Sequence, residues 1–469
     1  MPNGKYNNIM TRNIYDDLGA LVAINSIYDK PAQNAPFGIS CRKALDKFVE
    51  IASDAGLRTG MDDGYAAWAE YGEGEKLAGV LGHLDIVPAG EGWTTDPFTL
   101  TVRDGVMYGR GVSDDKGPLL ACLYALIGLK ERGVDLGCRV RVIAGCNEES
   151  GSECIKHYVR HCEIPALSFT PDSDFPVIAS EKGIRHFRVT LPATPLTESG
   201  IADVRAGERP NIVPDAAVCV VRRNSGLFVT LFGSEEKTGT GASYALEKHG
   251  SERASLSVAT GDDAVTISSS GKAAHGSTPE KGVNALGGLF AALADASGDE
   301  SLKAAALLTS ADAAVRLGIA CEDETGALTL NAGVCRYESG RITLTMDMRF
   351  PASADADKLT DKIMSAMPKG STLVTEHTAP PLAFPEDHPL VRALSDVYRK
   401  ATGDTVSRPL HIGGGTYAKE LPGCIAFGAV FPGRETHMHE PDECYPVKDF
   451  ELLVRIYGDA IVAMSKLVG

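Results

Sequence analysis

Histidines and carboxylates stand where predicted strands end or helices begin, and such side chains are typical metal ligands. They are His83, Asp85, Asp114, Asp115, Glu148, Glu149 and Asp172, followed late in the chain by His437 and His439. Imidazole and carboxylate ligands suit zinc, with manganese or cobalt as substitutes. Neutralising two dications takes several carboxylates, and this set supplies them.

The spacing of these residues suits such a site. Residues two apart in a strand point the same way, so Asp85 can orient the ring of His83 for metal binding. The carboxylate of Asp114 has two oxygens and can bridge two ions. Glu148 and Glu149 are adjacent in a loop, so one can bind a metal while the other contacts a bound water.

Each of these short patterns also has an ordinary structural explanation. A single His-x-Asp is usually a satisfied structural pair, and Asp-Asp before a helix is commonly an N-terminal cap. Glu-Glu is normally a solvated charge pair. The combination favours a metal site, because ligands in open α/β sheets bind beyond the carboxyl ends of the strands, where all these residues are expected.

The elements that would position these residues alternate along the first third of the chain. Strands are predicted at 64–72, 76–85, 138–145 and 166–170, and helices at 40–55, 116–133 and 152–162. Strands interleaved with helices of this length indicate an α/β fold with a mostly parallel central sheet, covered on both faces.

The texture changes over residues 185–382. Short alternating segments predict strands there, namely RHFRVTL, CVVRRN, GLFVTLF, AVTISSS and RITLTMDMRF, with two helices near 283–296 and 355–366. The last part returns to a helix near 388–402, a strand at GCIAFGAVF (423–431) and a helix near 448–467. The simplest layout is one domain formed by 1–184 and 383–469, interrupted by an inserted α+β domain at 185–382.

Composition narrows the class of protein. The net charge is -16, without a run of Lys or Arg, so nucleic acid and anionic membranes are not expected partners. The first residues lack the apolar core of a signal peptide, and no stretch approaches the roughly 20 apolar residues of a membrane span. Eleven scattered cysteines, none in a C-x2-C pair, indicate reduced thiols and a cytoplasmic protein.

Short motifs are distributed along nearly the whole chain: GHLDIVPAGEGW, GRGVSDDKGP, CNEESGSE, PDSDFP, EKG, ERPNIVP, AAHGSTPEKGVNA, MDMRFP, GGGTYAK and MHEPDE. In this order they resemble the motifs of the M20 metallopeptidase family. The likeness is greatest to its dipeptidase branch, the PepV-like and Xaa-His dipeptidases. It implies a di-metal catalytic domain with an inserted lid.

The resemblance also implies roles for individual residues. One ion would be held by His83, Asp114 and Asp172, and a second by Asp114, Glu149 and His439. Glu148 would be the general base and Asp85 the carboxylate that orients His83. The bond between Asp114 and Asp115 would be cis. His437 is a rival to His439, but the pattern M-H-x-x-x-E favours His439, with Glu443 as its sequel.

In the inserted domain the resemblance implies substrate contacts. His275 would reach the scissile carbonyl, Arg349 would clamp the substrate carboxylate, and Asn211 would lie in a substrate-contacting loop. Gly414, Gly415 and Thr416 would form a further substrate-facing loop. The ordinary alternatives are a helix cap for the histidine, a surface ion pair for the arginine, and a turn that needs glycine.

The expected activity is therefore hydrolysis of dipeptides by a water that bridges two divalent ions, zinc first, with Glu148 as general base. Three alternatives remain: an N-acyl or N-succinyl amino acid amidohydrolase with the same centre, a zinc aminopeptidase, and a metal-free binding protein. Dimeric relatives borrow the carbonyl-binding histidine from a partner. Because the insertion is large enough for two lid units, we expect a monomer that supplies its own His275.

Overall fold

The computed structural model describes residues 13–232 and 254–469, which fold as two compact units. One unit comprises the chain up to Ser180, Ala383–Leu410 and Thr416–Gly469, and the other comprises Glu181–Leu382 and His411–Gly415. The sequence placed the first boundary after residue 184. It also placed the glycine-rich residues 413–415 in the discontinuous first domain, whereas they belong to the inserted unit.

The strands are, in chain order, β1 (Arg58–Asp62), β2 (Ala66–Tyr71), β3 (Leu77–His83), β4 (Thr101–Arg103), β5 (Val106–Tyr108), β6 (Arg139–Gly145), β7 (Leu167–Thr170), β8 (Ile178–Glu181), β9 (Gly183–Thr190), β10 (Ile201–Ala206), β11 (Ala216–Arg222), β12 (Ser255–Thr260), β13 (Ala264–Ser270), β14 (Glu322–Asp323), β15 (Gly326–Ala327), β16 (Thr329–Glu338), β17 (Arg341–Phe350), β18 (Thr372–Ala379), β19 (Leu382–Ala383), β20 (Leu410–Ile412), β21 (Cys424–Ala426) and β22 (Cys444–Pro446).

The α-helices of the first unit are Ile14–Val22, Ile39–Asp54, Lys116–Glu131, Glu153–His161, Pro389–Thr402 and Val447–Val468. Those of the second unit are Pro195–Gly200, Gly226–Phe232, Ala285–Ser297, Glu300–Thr309, Ala313–Arg316 and Ala356–Ser365. The amphipathic spacing that predicted the longer helices reappears as buried faces. In Ile39–Asp54, for example, Ala44, Leu45, Phe48, Ile51 and Ala52 are fully buried.

The first unit is organised by a mixed sheet in the order β1-β2-β6-β3-β7-β21-β8-β19, with β20 paired to β8. Its centre is parallel, as expected, from β6 through β3 and β7 to β21. The flanking pairs β1–β2, β2–β6 and β21–β8 are antiparallel. Every residue of β3 is buried, which is typical of a central parallel strand. Because β3, β6 and β7 run in the same direction, the segments that follow them leave one edge of the sheet.

The second unit is organised by an antiparallel sheet in the order β12-β13-β11-β10-β16-β17-β9-β18. Alternate side chains of β9 are buried, as expected for a sheet with one face on a core. The helix Ala285–Ser297 packs on β11 and β13, and Glu300–Thr309 packs beside it. This arrangement is the α+β layout predicted for the inserted region.

One local prediction in the inserted region was wrong, and a helix there was missed. GLFVTLF forms the helix Gly226–Phe232 rather than a strand, because Leu227 and Leu231, four residues apart, share one buried face. The hydroxyl of Ser225 accepts the N–H of Phe228 and caps this helix. The helix Glu300–Thr309 was not predicted, although Asp299 caps it by accepting the N–H groups of Ser301 and Leu302.

Across residues 13–232 and 254–469, no helix combines the length and the apolar character that crossing a membrane requires. All eleven cysteines are free thiols. Cys138, Cys146 and Cys154 are fully buried and Cys162 is half-buried, as expected of small apolar residues.

Candidate metal centre

The centre is assembled at the edge of the first unit's sheet where the parallel strands end. His83 is the last residue of β3 and pairs with Gly145, the last residue of β6. The loop with Glu148 and Glu149 follows β6, and Asp172 follows β7 two residues after Thr170. Parallel register therefore brings together ligands that are distant in sequence, as predicted from the strand ends.

The first ligand group is His83, Asp114 and Asp172, each offering one atom within 4.8 Å of the others. Nε2 of His83 lies 2.9 Å from Oδ1 of Asp114 and 3.9 Å from Oδ2 of Asp172. His83 is fully buried and Asp114 nearly so.

The second ligand group is Asp114, Glu149 and His439, again within 4.8 Å of one another. Nε2 of His439 lies 2.8 Å from Oδ2 of Asp114 and 3.2 Å from Oε1 of Glu149. The two oxygens of Asp114 thus face different histidines, which is the arrangement of a carboxylate that bridges two ions. Both groups are those that the family resemblance implied.

His437, the rival of His439, belongs to neither group among the described residues. Its ring is half exposed and its Nδ1 lies 3.5 Å from a carboxylate oxygen of Glu440. The backbone of both histidines is in the left-handed region, with φ values of 50° and 64°. The geometry therefore favours His439 as the ligand.

Asp85 organises the glutamate loop as well as the ring of His83. Nδ1 of His83 lies 3.1 Å from the backbone carbonyl of Asp85 and 3.5 Å from its carboxylate. The two carboxylate oxygens accept the N–H groups of Glu148 and Glu149, at 3.0 and 3.1 Å. Asp85 thus holds in place the segment that carries both glutamates.

The loop that carries Asp114 is held by a buried ion pair that the sequence interpretation missed. Glu443 accepts the backbone N–H groups of Gly111, Ser113 and Asp114, and Nη1 of Arg110 donates to it at 2.7 Å. Both side chains are almost fully buried. Arg110 lies in the motif GRGVSDDKGP, which was the available signal. Asp115 accepts the N–H of His83 at 3.1 Å, and the Asp114–Asp115 bond is cis, as the resemblance implied.

Tyr417 was also not predicted as part of the site. Its buried ring lies edge-on to His83, with centroids 6.0 Å apart, and its hydroxyl lies 2.9 Å from Sγ of Cys154. A Cβ on Gly145 would lie 1.9 Å from that hydroxyl. Glycine is therefore required where β6 ends.

The carboxylates around Asp114 have raised pKa values, whereas hydrogen bonds with His439 and His83 outweigh burial and lower the pKa of Asp114 itself. Burial, and then the charge of Asp172, raise the pKa of Glu148 well above its usual range. Burial raises the pKa of Asp172 to about 7, with the charges of Asp114 and Glu149 adding to it. The carboxylates thus repel one another in a desolvated space, where positive charge would stabilise them.

The histidines show the complementary effect. Burial lowers the pKa of His83, but its hydrogen bonds with Asp114 and Asp85 raise it well above the ordinary value. Hydrogen bonds with Asp114 and Glu149 raise the pKa of His439 to about 10. Positive charge is therefore favoured at both His83 and His439. The donor set, two imidazoles and three carboxylates with one shared, fits two divalent ions of the zinc type.

In the second unit, the predicted substrate-binding residues lie together. The N–H of Gly276, next to His275, donates to the carbonyl of Asn211 at 2.7 Å. A Cβ on Gly276 would lie 2.4 Å from Oδ2 of Asp347, the carboxylate that binds Arg349. The sheet of the inserted unit and its loops therefore gather all three predicted residues.

Arg349 is buried and held by a neighbour two residues away on β17. Its Nε and Nη2 donate to the two oxygens of Asp347, at 2.7 and 2.9 Å, and Nη1 donates to the carbonyl of Gly413 at 3.4 Å. A guanidinium has five N–H groups, so two remain, on Nη1 and Nη2. The side chain is not a surface ion pair, because only 4% of Arg349 is exposed.

Nδ1 of His275 accepts the N–H of Ser277 at 3.2 Å and lies 2.7 Å from its hydroxyl. In the neutral ring this places the proton on Nε2. Burial, and then the charge of Arg349, lower the pKa of His275, which favours the neutral ring. Gly414 and Gly415 lie in the loop segment of the second unit, whereas Thr416 accepts the N–H of Ala418 and begins the turn Tyr417–Glu420.

Known proteins resemble this chain over almost its whole length. The model of peptidase family M20/M25/M40 matches residues 79–463. The protein YtjP of Bacillus subtilis (strain 168), provisionally named a dipeptidase, is 34% identical over 464 residues, which cover 96% of each chain. A Staphylococcus aureus (strain USA300) protein with the same provisional name is 34% identical over 467 residues, covering 96% of this chain and 97% of its own.

A solved structure, that of human carnosine dipeptidase 1, has a TM-score of 0.53 at 16% identity and matches over 97% of this chain and 96% of its own. The aminopeptidase PepT of Bacillus cereus ATCC 10987 has a TM-score of 0.56 at 16% identity, over 96% and 98% of the two chains. These two similarities concern the fold.

Proposed function

The chain belongs to peptidase family M20/M25/M40 and is a metallopeptidase, and on that premise we propose that it hydrolyses the peptide bond of dipeptides. The observation that carries the proposal is the pair of ligand groups that share Asp114. Ligands of this kind would hold two divalent ions, for which zinc is our first choice and manganese or cobalt the alternatives.

Five residues would hold the ions. His83, Asp114 and Asp172 would bind one, and Asp114, Glu149 and His439 the other. When bound, divalent ions act as Lewis acids that polarise the substrate carbonyl and lower the pKa of water toward about 7. Asp85, Asp115, Arg110 and Glu443 would act by positioning, because they hold the backbone and ring of the ligands.

Glu148 would be the general base. Its backbone N–H is fixed by Asp85, and burial, followed by the charge of Asp172, raises its pKa. A base with a pKa raised toward the working pH transfers protons efficiently. Its carboxylate would take the proton of the attacking water and deliver it to the leaving amine.

Substrate recognition would come from the second unit. Three of the five N–H groups of Arg349 donate to Asp347 and Gly413. The other two can donate to both oxygens of a terminal carboxylate. His275 carries its proton on Nε2 and could donate it to the carbonyl oxygen as negative charge develops there. Asn211 and the loop with Gly414, Gly415 and Thr416 would line the substrate. A terminal carboxylate at this point selects very short peptides.

The test compares a free-amine dipeptide with its N-acetylated form, before and after chelation and return of zinc. Cleavage of the free form alone, lost with chelator and restored by zinc, is the expected result. Preference for the acetylated form would replace the proposal by an N-acyl or N-succinyl amino acid amidohydrolase with the same centre. Cleavage that survives complete metal removal would contradict the metal-dependent mechanism.

Two further expectations belong to the same proposal. The free state of all eleven cysteines supports a reducing compartment such as the cytoplasm. The size of the inserted unit, Glu181–Leu382, supports a monomer in which the lid supplies His275 to the site of its own chain. Sedimentation measures this directly, and a dimer whose activity is restored by mixing His275→Ala with Glu148→Gln subunits would contradict it.

A further inference from the structure

A third group of metal-ligating side chains shares no residue with the centre. Asp62 ends β1, and His157 and His161 lie one turn apart on the helix Glu153–His161. One ligand atom from each lies within 4.8 Å of the others. All three belong to the first unit. Two imidazoles and a carboxylate form a three-ligand set typical of zinc, with water completing the coordination.

The side chains of this group are held in place before any ion binds. The ring of His157 stacks on Tyr65, with centroids 3.8 Å apart and planes at 4°, and Tyr65 meets Phe37 edge-on at 5.3 Å. Nδ1 of His157 lies 2.8 Å from Oδ2 of Asp62. Nδ1 of His161 lies 2.9 Å from the carbonyl of His157, the kind of outer contact that fixes ligating histidines.

The charge of the surroundings favours a cation. Asp62 is 8% exposed, and in the described part of the chain its carboxylate forms an ion pair with His157. A buried carboxylate is costly unless it is paired with positive charge. His161 lies in the last turn of its helix, where the helix dipole also favours a cation.

We propose that Asp62, His157 and His161 bind one zinc ion separate from the two of the catalytic centre. The ion would tie the helix Glu153–His161 to the end of β1. This helix follows directly on the loop that carries Glu148 and Glu149, and two hydrogen bonds join it to that loop. The side chain of Asn147 accepts the N–H of Glu153 at 2.9 Å, and the N–H of Ser152 donates to the Asn147 carbonyl at 2.7 Å. The third ion would therefore stabilise the segment on which Glu148 and Glu149 lie.

The first experiment counts zinc in the full-length protein after equilibrium dialysis. Wild type should retain one more zinc per chain than His161→Ala. The matched control is Arg160→Ala, which removes an exposed neighbour on the same helix, whose Nε donates to the carbonyl of Lys156, and should bind as much zinc as wild type. Equal zinc in His161→Ala and wild type would overturn the proposal.

A second experiment separates this site from the catalytic centre. The double variant His83→Ala, Asp114→Asn lacks ligands of both catalytic ions and should still bind one zinc, which is lost when Asp62→Asn is added. The Asp62→Asn substitution keeps the shape of the side chain but not its charge, and circular dichroism verifies the fold. Zinc should raise the melting temperature of the double variant but not of the triple variant. A double variant that folds and binds no zinc would refute the third site.

Discussion

Asp114 is the residue on which the geometry of the centre depends most. Its Oδ1 faces His83 and its Oδ2 faces His439, at 2.9 and 2.8 Å, so it belongs to both ligand groups. Its backbone is fixed by Glu443, which is itself paired with Arg110. Replacing Asp114 would therefore disturb both ligand groups together, whereas the neighbouring Glu148 belongs to neither group and can be changed by itself.

Glu148→Gln should lower kcat by about 10²–10⁴-fold, because the amide cannot accept the proton that general base catalysis transfers. The metal content should stay that of wild type. Kinetics and metal analysis on the same preparation measure both quantities. Glu153→Gln, an exposed carboxylate in the following helix, is the matched control and should keep full activity. A Glu148→Gln enzyme of near-normal turnover would exclude Glu148 as the base.

Arg349→Lys should raise KM for a dipeptide by about 10–100-fold, since a hydrogen-bonded charged group contributes about 1.5–3 kcal/mol and lysine lacks the planar fork. The measurement compares each dipeptide with its C-terminal amide. Wild type should discriminate strongly against the amide, and Arg349→Lys should discriminate much less. Equal discrimination by both enzymes would show that Arg349 does not bind the carboxylate and serves the lid through Asp347.

At the scale of elements, the site depends on how closely strands and loops approach one another. β6 ends at Gly145 beside the hydroxyl of Tyr417, which in turn contacts Cys154 of the next helix. At the end of β3, a Cβ on Gly82 would lie 2.4 Å from Oδ2 of Asp115, the carboxylate that accepts the N–H of His83. Small residues at these two strand ends let the ligand-bearing loops meet.

Gly145→Ala should therefore destabilise the protein by about 1–3 kcal/mol, the usual cost of adding a methyl to a packed interior. Urea unfolding measures it, and metal affinity should fall as well because the glutamate loop begins there. Gly458→Ala is the control: its Cβ meets only Ala125, at 3.9 Å, inside a helix, so it should be neutral or stabilising. Adding Tyr417→Phe should restore part of the stability of Gly145→Ala, and no restoration would contradict this explanation.

At the scale of the whole molecule, the candidate metal ligands and the candidate substrate-binding residues lie in different units. All candidate metal ligands lie in the first unit, and the cluster of Asn211, His275 and Arg349 lies in the second. Each unit has its own sheet, parallel at the centre in the first and antiparallel in the second. Metal removal should therefore affect the first unit more than the second.

Chelation should lower the stability of the first unit selectively. An ion present at 100 times its Kd contributes about 2.7 kcal/mol to the folded state, and its removal leaves buried carboxylates close together. Hydrogen exchange with and without EDTA should show loss of protection in peptides from β3, β6 and the loops that follow them. Peptides from β9 and β17 of the second unit should change little, and loss of protection chiefly there would contradict the assignment.

Local pattern indicated the candidate metal-binding side chains, the order of the elements and the change of texture in the inserted region, whereas the family resemblance implied which of those side chains would be ligands. Helical and strand periodicities are properties of neighbouring residues, so the helices Ile39–Asp54 and Lys116–Glu131 and the strands β3, β6 and β7 were predicted within a few residues. Carboxylates and histidines at strand ends, together with the rule for open α/β sheets, indicated the metal centre. The prediction for GLFVTLF failed because seven residues with five apolar side chains suit either periodicity until Leu227 and Leu231 are buried together.

Only the folded chain decided which distant residues meet. The pairing of Arg110 with Glu443, the contact of Tyr417 with Cys154, and the group of Asp62, His157 and His161 join positions 95 to 333 residues apart. Such contacts follow from strand register and from the packing of helices on the sheet, neither of which a local periodicity specifies. The sequence therefore determines which side chains are available as ligands, whereas tertiary structure determines the distances between them and the contacts that support them.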